Sequence, residues 1–211
     1  MIHYSHFLGL DDMTVTTKHY FRTKDLVSIA VLACLGAIAS TYLGYIGHML
    51  GSATGIPLAS QLFDGLHVFW VVLTLALVNR KGSGLLCAVV DNLIQFLMGS
   101  HIGVLVLPVG LMQGILAEVG YWPASGLGLV PAMVLAGGLS SIAHIILFQL
   151  TFHPFGPTSV ALGFGAVAFA SGACLGGLFP YSAAVILQKA GVARMRGIAP
   201  ATGKRQTIAA K

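Results

Sequence analysis

The sequence predicts an all-α membrane protein: a bundle of six transmembrane helices with both termini in the cytoplasm. Three observations carry this. Hydrophobic residues make up 56% of the 211 residues and charged residues only 8%, against about 25% charged in an ordinary soluble domain. Mean hydropathy is +0.89, and long apolar runs alternate with short Gly- and Pro-bearing breaks, as in a chain whose solvent is lipid. The third is charge placement, because Lys and Arg gather in the two tails and in one short break. A water-soluble globule, a disordered chain and a disulfide-stapled secreted domain are excluded.

A helix crossing a hydrocarbon core of about 30 Å needs about 20 mostly apolar residues. Six runs meet or approach this, at 26–47, 61–78, 83–98, 103–121, 126–150 and 159–188, the third being short. The breaks at 51–57, 79–84, 99–103, 122–126 and 151–159 are rich in Gly, Pro, Ser and Asn, which is turn chemistry. With six spans, the N-terminal tail, the 79–84 and 122–126 breaks and the C-terminal tail share one side. That side holds all 11 Lys and Arg, so it is the cytoplasmic one. The chain divides into a cytoplasmic tail at 1–25, a six-helix domain at 26–188 and a basic cytoplasmic tail at 189–211. The net charge of +5 therefore belongs beside anionic headgroups in the cell membrane and not on a nucleic-acid surface. The first run is long and has no small-residue cleavage site after it, so it reads as a retained span and not as a cleaved signal. Met13, just ahead of a basic stretch, is a more natural start than Met1.

Charge inside the apolar region is scarce and therefore informative. Apart from the Arg80-Lys81 pair, only Asp64, Asp91 and Glu118 lie between residues 26 and 188, and ionisable groups within a membrane are functional candidates by default. Asp91 has Gln95 one turn later on the same helix face, continued by Gly84 and Ala88. Glu118 shares a face with Gly110 and Gly114 and has Gln113 nearby. As the third and fourth runs are antiparallel and closely joined, Asp91, Gln95, Gln113 and Glu118 are expected to converge. Small residues at helical spacing, Ala30, Ala33, Ala37, Ser40, Thr41 and Gly44 in the first run and Gly165, Ala168, Gly172 and Gly176 in the last, permit close helix approach.

His48, His67, His101 and His153 cluster toward the outer side, with Asp64 three residues before His67. Interfacial histidines are common, and no metal site is assigned to them; His144 reads as a buried hydrogen-bonding residue. Tyr45, Trp70, Phe96 and Phe148 fit a core or an interfacial belt. Cys34, Cys87 and Cys174 lie singly in apolar runs, which argues against a disulfide or metal role. There is no Gly-x-x-x-x-Gly-Lys phosphate loop, no Gly-x-Ser-x-Gly and no His-Glu-x-x-His. The chain is thus not expected to be an enzyme or to need a cofactor.

The segments Gly99-Ser100-His101-Ile102-Gly103 and Gly110-Leu111-Met112-Gln113-Gly114-Ile115-Leu116-Ala117-Glu118 resemble the Gly-Ser-x-x-Gly and Gly-x-x-Gln-Gly-x-x-x-Glu pattern of YkoE-like subunits. These are substrate-binding S components of energy-coupling factor (ECF) transporters. The resemblance extends to size and topology over all six runs, but in sequence it is concentrated at about 80–121. It implies a subunit that binds thiamine or its hydroxymethylpyrimidine precursor from outside. It also implies docking on a transmembrane coupling subunit served by two cytosolic ATPases. Gln113 and Glu118 match the motif, and Ala33 and Ala37 are the counterpart of its Ala-x-x-x-Ala docking device. The histidine-rich outer side departs from the pattern. Two rivals stand beside this reading: a proton-coupled secondary transporter using Asp91 and Glu118, and a nickel or cobalt S component suggested by the histidines, His3 and His6 included. Against the second, Ile2 separates the first His from the initiator Met.

Overall fold

The computed structural model describes residues 20–54, 63–152 and 157–191. Both candidate starts, His3, His6, His153 and the greater part of both tails lie outside the described residues. The described chain is helical: α1 (Thr23–Thr54), α2 (Asp64–Val78), α3 (Ser83–Leu97), α4 (Val106–Ala124), α5 (Leu129–Ser141), α6 (Ala143–Phe152), α7 (Thr158–Ala173) and α8 (Phe179–Lys189). Single 3-10 turns, Gly103–Leu105 and Ser125–Leu127, flank α4, and a π-helical turn, Cys174–Leu178, joins α7 to α8.

Local chemistry sets the ends. Asp25 Oδ2 accepts the Arg22 N–H at 3.0 Å, the half of a capping box that reaches back to start a helix. Asn79 closes α2 at φ 50° and Gly82 opens α3 at φ 84°, a left-handed backbone that glycine enters freely and Asn tolerates. These two residues reverse the chain in four positions and set α2 and α3 side by side.

Four stretches are long and apolar enough to cross a membrane: Thr23–Ala53, Gly103–Leu127, Leu129–Phe152 and Thr158–Lys189. The last two are composite, since α5 passes to α6 at Ile142 and α7 to α8 through the π turn. Apolar composition runs unbroken through both junctions, so hydropathy does not reveal them. α2 and α3 have 15 residues each, about 22 Å of rise, which is shorter than the hydrocarbon core.

The short α2 is the hub. It touches α1, α3, α4, α5, α7 and α8, and Val68, Val71, Val72, Thr74 and Leu75 are fully enclosed. A helix apolar on every face must be surrounded, and α2 is surrounded by protein. Around it, glycines let backbones meet. A Cβ on Gly137 of α5 would meet the Gly172 carbonyl of α7, one on Gly177 would lie 2.6 Å from Val134 Cα, and one on Gly120 of α4 would lie 2.7 Å from the Leu135 carbonyl oxygen. Gly65 N–H of α2 donates to Ser171 Oγ at 3.2 Å. The glycines of the last run divide accordingly: Gly172 and Gly176 are packing surfaces, while Gly163 and Gly165 face open space.

This division is testable by substitution. Gly137→Leu drives a side chain into backbone that has no room to yield and should cost about 3 kcal/mol or more, read as a lowered thermal midpoint in detergent. Gly165→Ala, with nothing within 4 Å, should not lower the midpoint and should raise it slightly, by the helix preference of Ala over Gly.

Candidate functional site

Asp91 is held at the junction of α1, α2 and α3. It is 2% exposed, and Gln95 Nε2, one turn on, donates to its Oδ2 at 3.3 Å. The other oxygen, Oδ1, has no hydrogen-bond partner among the described residues. A Cβ on Gly36 of α1 would stand 3.1 Å from that oxygen and 3.0 Å from Cγ of Trp70. Thus the absent side chain at Gly36 leaves the carboxylate and the indole of α2 next to each other. A buried polar atom left unpaired is costly, and here it lies near the Trp70 side chain. The Thr74 hydroxyl donates to the Trp70 carbonyl at 2.8 Å and lies 3.2 Å from the buried Cys87 sulfur, which ties α2 to α3 one turn before Asp91. Gly36 carries no signal in the sequence for this role, and Trp70 stands there as one of several aromatics, because their approach depends on how three helices cross.

Glu118 occupies a different place from Asp91. Its Oε1 accepts the Gly84 N–H at 2.9 Å and the Leu85 N–H at 3.4 Å, and its Oε2 accepts the Trp122 indole N–H. Gly84 precedes Asp91 by seven residues, so along α3 the two carboxylates are separated by about 10 Å of rise. Gln113 is half-buried on α4, and its carbonyl accepts Ser140 Oγ of α5 at 3.0 Å. Among the described hydrogen bonds, then, Asp91 and Gln95 are brought together, Glu118 is joined to the first turn of α3 and to Trp122, and Gln113 takes part through its backbone carbonyl.

Of the small-residue stripe of α1, Ala33 and Ala37 are 0% exposed where α1 packs on α2 and α3, while Ala30 is exposed. The lipid-facing side of α1 carries Val27, Val31, Leu35, Ile38 and Tyr42.

Residues 24–143 match the sequence profile of the family described as the permease component of the ABC-type cobalt transport system. The chain belongs to this family. It is 26% identical over 164 residues, spanning 75% of this chain and 80% of the relative, to the putative HMP/thiamine permease protein YkoE of Bacillus subtilis (strain 168). Its fold is that of a solved S component of an ECF transporter, with a TM-score of 0.74 and 24% identity over 82% of this chain and 88% of that one. This permease component is accordingly an integral membrane protein.

The permease component's histidines form a path at the end of the bundle opposite Glu118. His48 of α1 and His101 of the α3–α4 turn have ring centroids 6.1 Å apart, and Tyr45 lies 6.0 Å from His101. The Tyr45 hydroxyl donates to the Gly99 carbonyl, and the His101 ring covers Gly44. His67 of α2 is within electrostatic range of His101 and of His144 on α6. Among the described residues no three His, Cys, Asp or Glu come close enough to hold a metal ion. His153 and the side chain of Asp64 lie outside them.

Partial burial, and then the nearby His48, hold His101 below the ordinary histidine range. A depressed pKa in the folded state means that the unfolded chain takes up more protons, so stability is lost as pH falls through the free histidine value of about 6.5. Acidification from pH 7.5 to 5.5 should therefore lower the thermal midpoint of the wild type more than that of His101→Gln.

Proposed function

We propose that this chain is the substrate-binding subunit of an ECF-type importer and that its ligand is thiamine or the hydroxymethylpyrimidine precursor. The observation that carries the reading is Asp91: a buried carboxylate with one oxygen held by Gln95, the other without a partner, and the Trp70 indole alongside. An aminopyrimidine offers an amino donor beside a ring nitrogen, which a carboxyl or carboxamide pairs with in two-point fashion. A thiazolium cation is balanced by a carboxylate in low dielectric and by an aromatic face. Asp91 and Gln95 form the centre of the site, with Gln113 on the neighbouring α4, while Glu118 stands outside it, bonded to the first turn of α3. The name of the relative, an HMP/thiamine permease, supports the same chemistry.

In this reading the six apolar stretches are six spans at 26–188, with α2 enclosed by protein and α3 turning Val89, Leu93 and Leu97 outward, and the tails at 1–25 and 189–211 are cytoplasmic. The Asp25–Arg80 ion pair of 2.9 Å supports this arrangement, since it joins the start of α1 to the α2–α3 turn on the side rich in Lys and Arg. Energy comes from partners, a transmembrane coupling subunit and two cytosolic ATPases, and the lipid-facing side of α1 is the surface available to the coupling subunit.

Two alternatives fit less well. A proton relay needs Asp91 and Glu118 within transfer reach, whereas Glu118 is bonded to backbone about 10 Å along α3. The family's description speaks of cobalt, but a cobalt site needs several His or carboxylate donors together, which the described residues do not supply.

Titration calorimetry on the purified protein with thiamine, the pyrimidine and Co²⁺ decides among these. Asp91→Asn, which preserves shape and removes the charge, should weaken thiamine binding by about 30-fold or more and the neutral pyrimidine less. Equal affinity for thiamine in the variant would remove Asp91 from the site. For the topology, reporters fused at Lys211 and within 79–84 should read cytoplasmic and those within 51–57 and 151–159 external. An external C-terminus would reject the six-span arrangement.

A further inference from the structure

The first turn of α3 is built without a cap of its own. Its leading position is Gly82, which has no side chain to offer, and no side-chain cap bond is made there. The Ser83 hydroxyl is turned back to the Arg80 carbonyl at 2.7 Å, and the Ser83 N–H is used by the same carbonyl at 3.1 Å. The N–H groups of Gly84 and Leu85 remain, and they point at Glu118 of α4. A helix start leaves such donors unsatisfied and carries partial positive charge, so an ionised carboxylate placed on it from a neighbouring helix acts as a cap made by tertiary structure. The second oxygen of Glu118 is fastened by the Trp122 indole one turn later on the same helix, which fixes the carboxylate's orientation. The same turn is held from the other side, where Arg80 pairs with Asp25 and donates to the Tyr20 carbonyl.

We infer that Glu118 is a positioning residue: it sets the axial height and rotation of α3, and through them the placement of Asp91 and Gln95, without touching the ligand. This rests on the reading of Asp91 and Gln95 as ligand groups. Both carboxylate oxygens of Glu118 are spent on protein donors, and the path from it to the Asp91 pair is the rigid helix itself. Steric fit reinforces the link, because Gly114 of α4 is packed on Leu85 and Ala88, and Gly110 of α4 on Asn92. Sliding α3 by a fraction of a turn breaks the cap and these contacts together.

The test compares wild type, Glu118→Gln and Glu118→Ala as full-length protein. In the first variant the side-chain carbonyl still accepts from Gly84, while its amide N–H₂ gives the Trp122 indole nothing. Amide exchange over 83–90 should therefore accelerate in the Ala variant and remain near wild type in the Gln variant. Thiamine affinity should fall by about tenfold in the Ala variant and stay within about threefold in the Gln variant. The chain has 2 Trp, so two indole N–H resonances can be followed. Replacing Glu118 by Gln should move that of Trp122, and saturating the wild type with thiamine should move that of Trp70 and leave Trp122 in place. The inference is overturned if the Glu118→Gln variant loses as much affinity as the Ala variant with exchange at 83–90 undisturbed, or if thiamine displaces the Trp122 signal, since either result makes Glu118 a ligand contact. Should wild type bind neither thiamine nor the pyrimidine, the functional reading falls on its own. Exchange then decides the cap: acceleration in the Ala variant with recovery in Gln sustains it, and wild-type exchange in the Ala variant rejects it.

Discussion

Helices immersed in lipid gain nothing from hiding apolar side chains, because the surrounding hydrocarbon is as apolar as leucine, and cohesion must come from how closely backbones approach. Everything else in this molecule depends on that constraint. Gly137, Gly172, Gly176 and Gly177 bring α5, α7 and the π turn into backbone contact, and Gly65 lets α2 donate to Ser171 of α7. Gly110 and Gly114 seat α4 on α3, and Gly36 seats α1 on α2 and α3. Without such approaches, the short α2 could not touch six other helices, and Trp70 and Asp91 would not meet.

Polar groups in the bundle follow from the same economy. Thr41 returns its hydroxyl to the Ala37 carbonyl at 2.7 Å, and Asn92 its amide to the Ala88 carbonyl at 2.8 Å, so each is satisfied within its own helix and adds no demand on its neighbours. Charged and indole groups settle the end of the bundle where α1 begins. There Asp25, Arg80, Glu118 and Trp122 tie three helices and one turn through hydrogen bonds that need fixed geometry. At the opposite end the links are softer: a tyrosine hydroxyl on a turn carbonyl and an imidazole laid over a glycine.

Asp91 shows how the two levels combine. Its rarity in apolar sequence and the spacing to Gln95 are enough to single out the pair, and the pair is formed as the helical period requires. Glu118 has the same rarity and a motif around it, but rarity reports only that a carboxylate has a reason to be in the membrane. Whether the reason is a ligand or an orphan helix start depends on what lies opposite, and opposite Glu118 lies the uncapped turn at Gly84. The small-residue stripe of α1 is ambiguous in the same way. Ala33 and Ala37 allow a close neighbour, and the fold supplies that neighbour from within the chain.

By itself, then, the sequence determined the solvent, the order of the apolar stretches, the turns between them and the short list of polar residues worth attention. These follow from length, hydropathy and turn chemistry, which are local. Tertiary structure alone decided which glycine faces are contacts, where the last two stretches break at Ile142 and at the π turn, and which aromatic stands beside Asp91. It also decided that Glu118 serves a helix start. The physical reason is that helical period tells which residues share a face, whereas the crossing of helices, set by small residues distant in the chain, tells what that face meets.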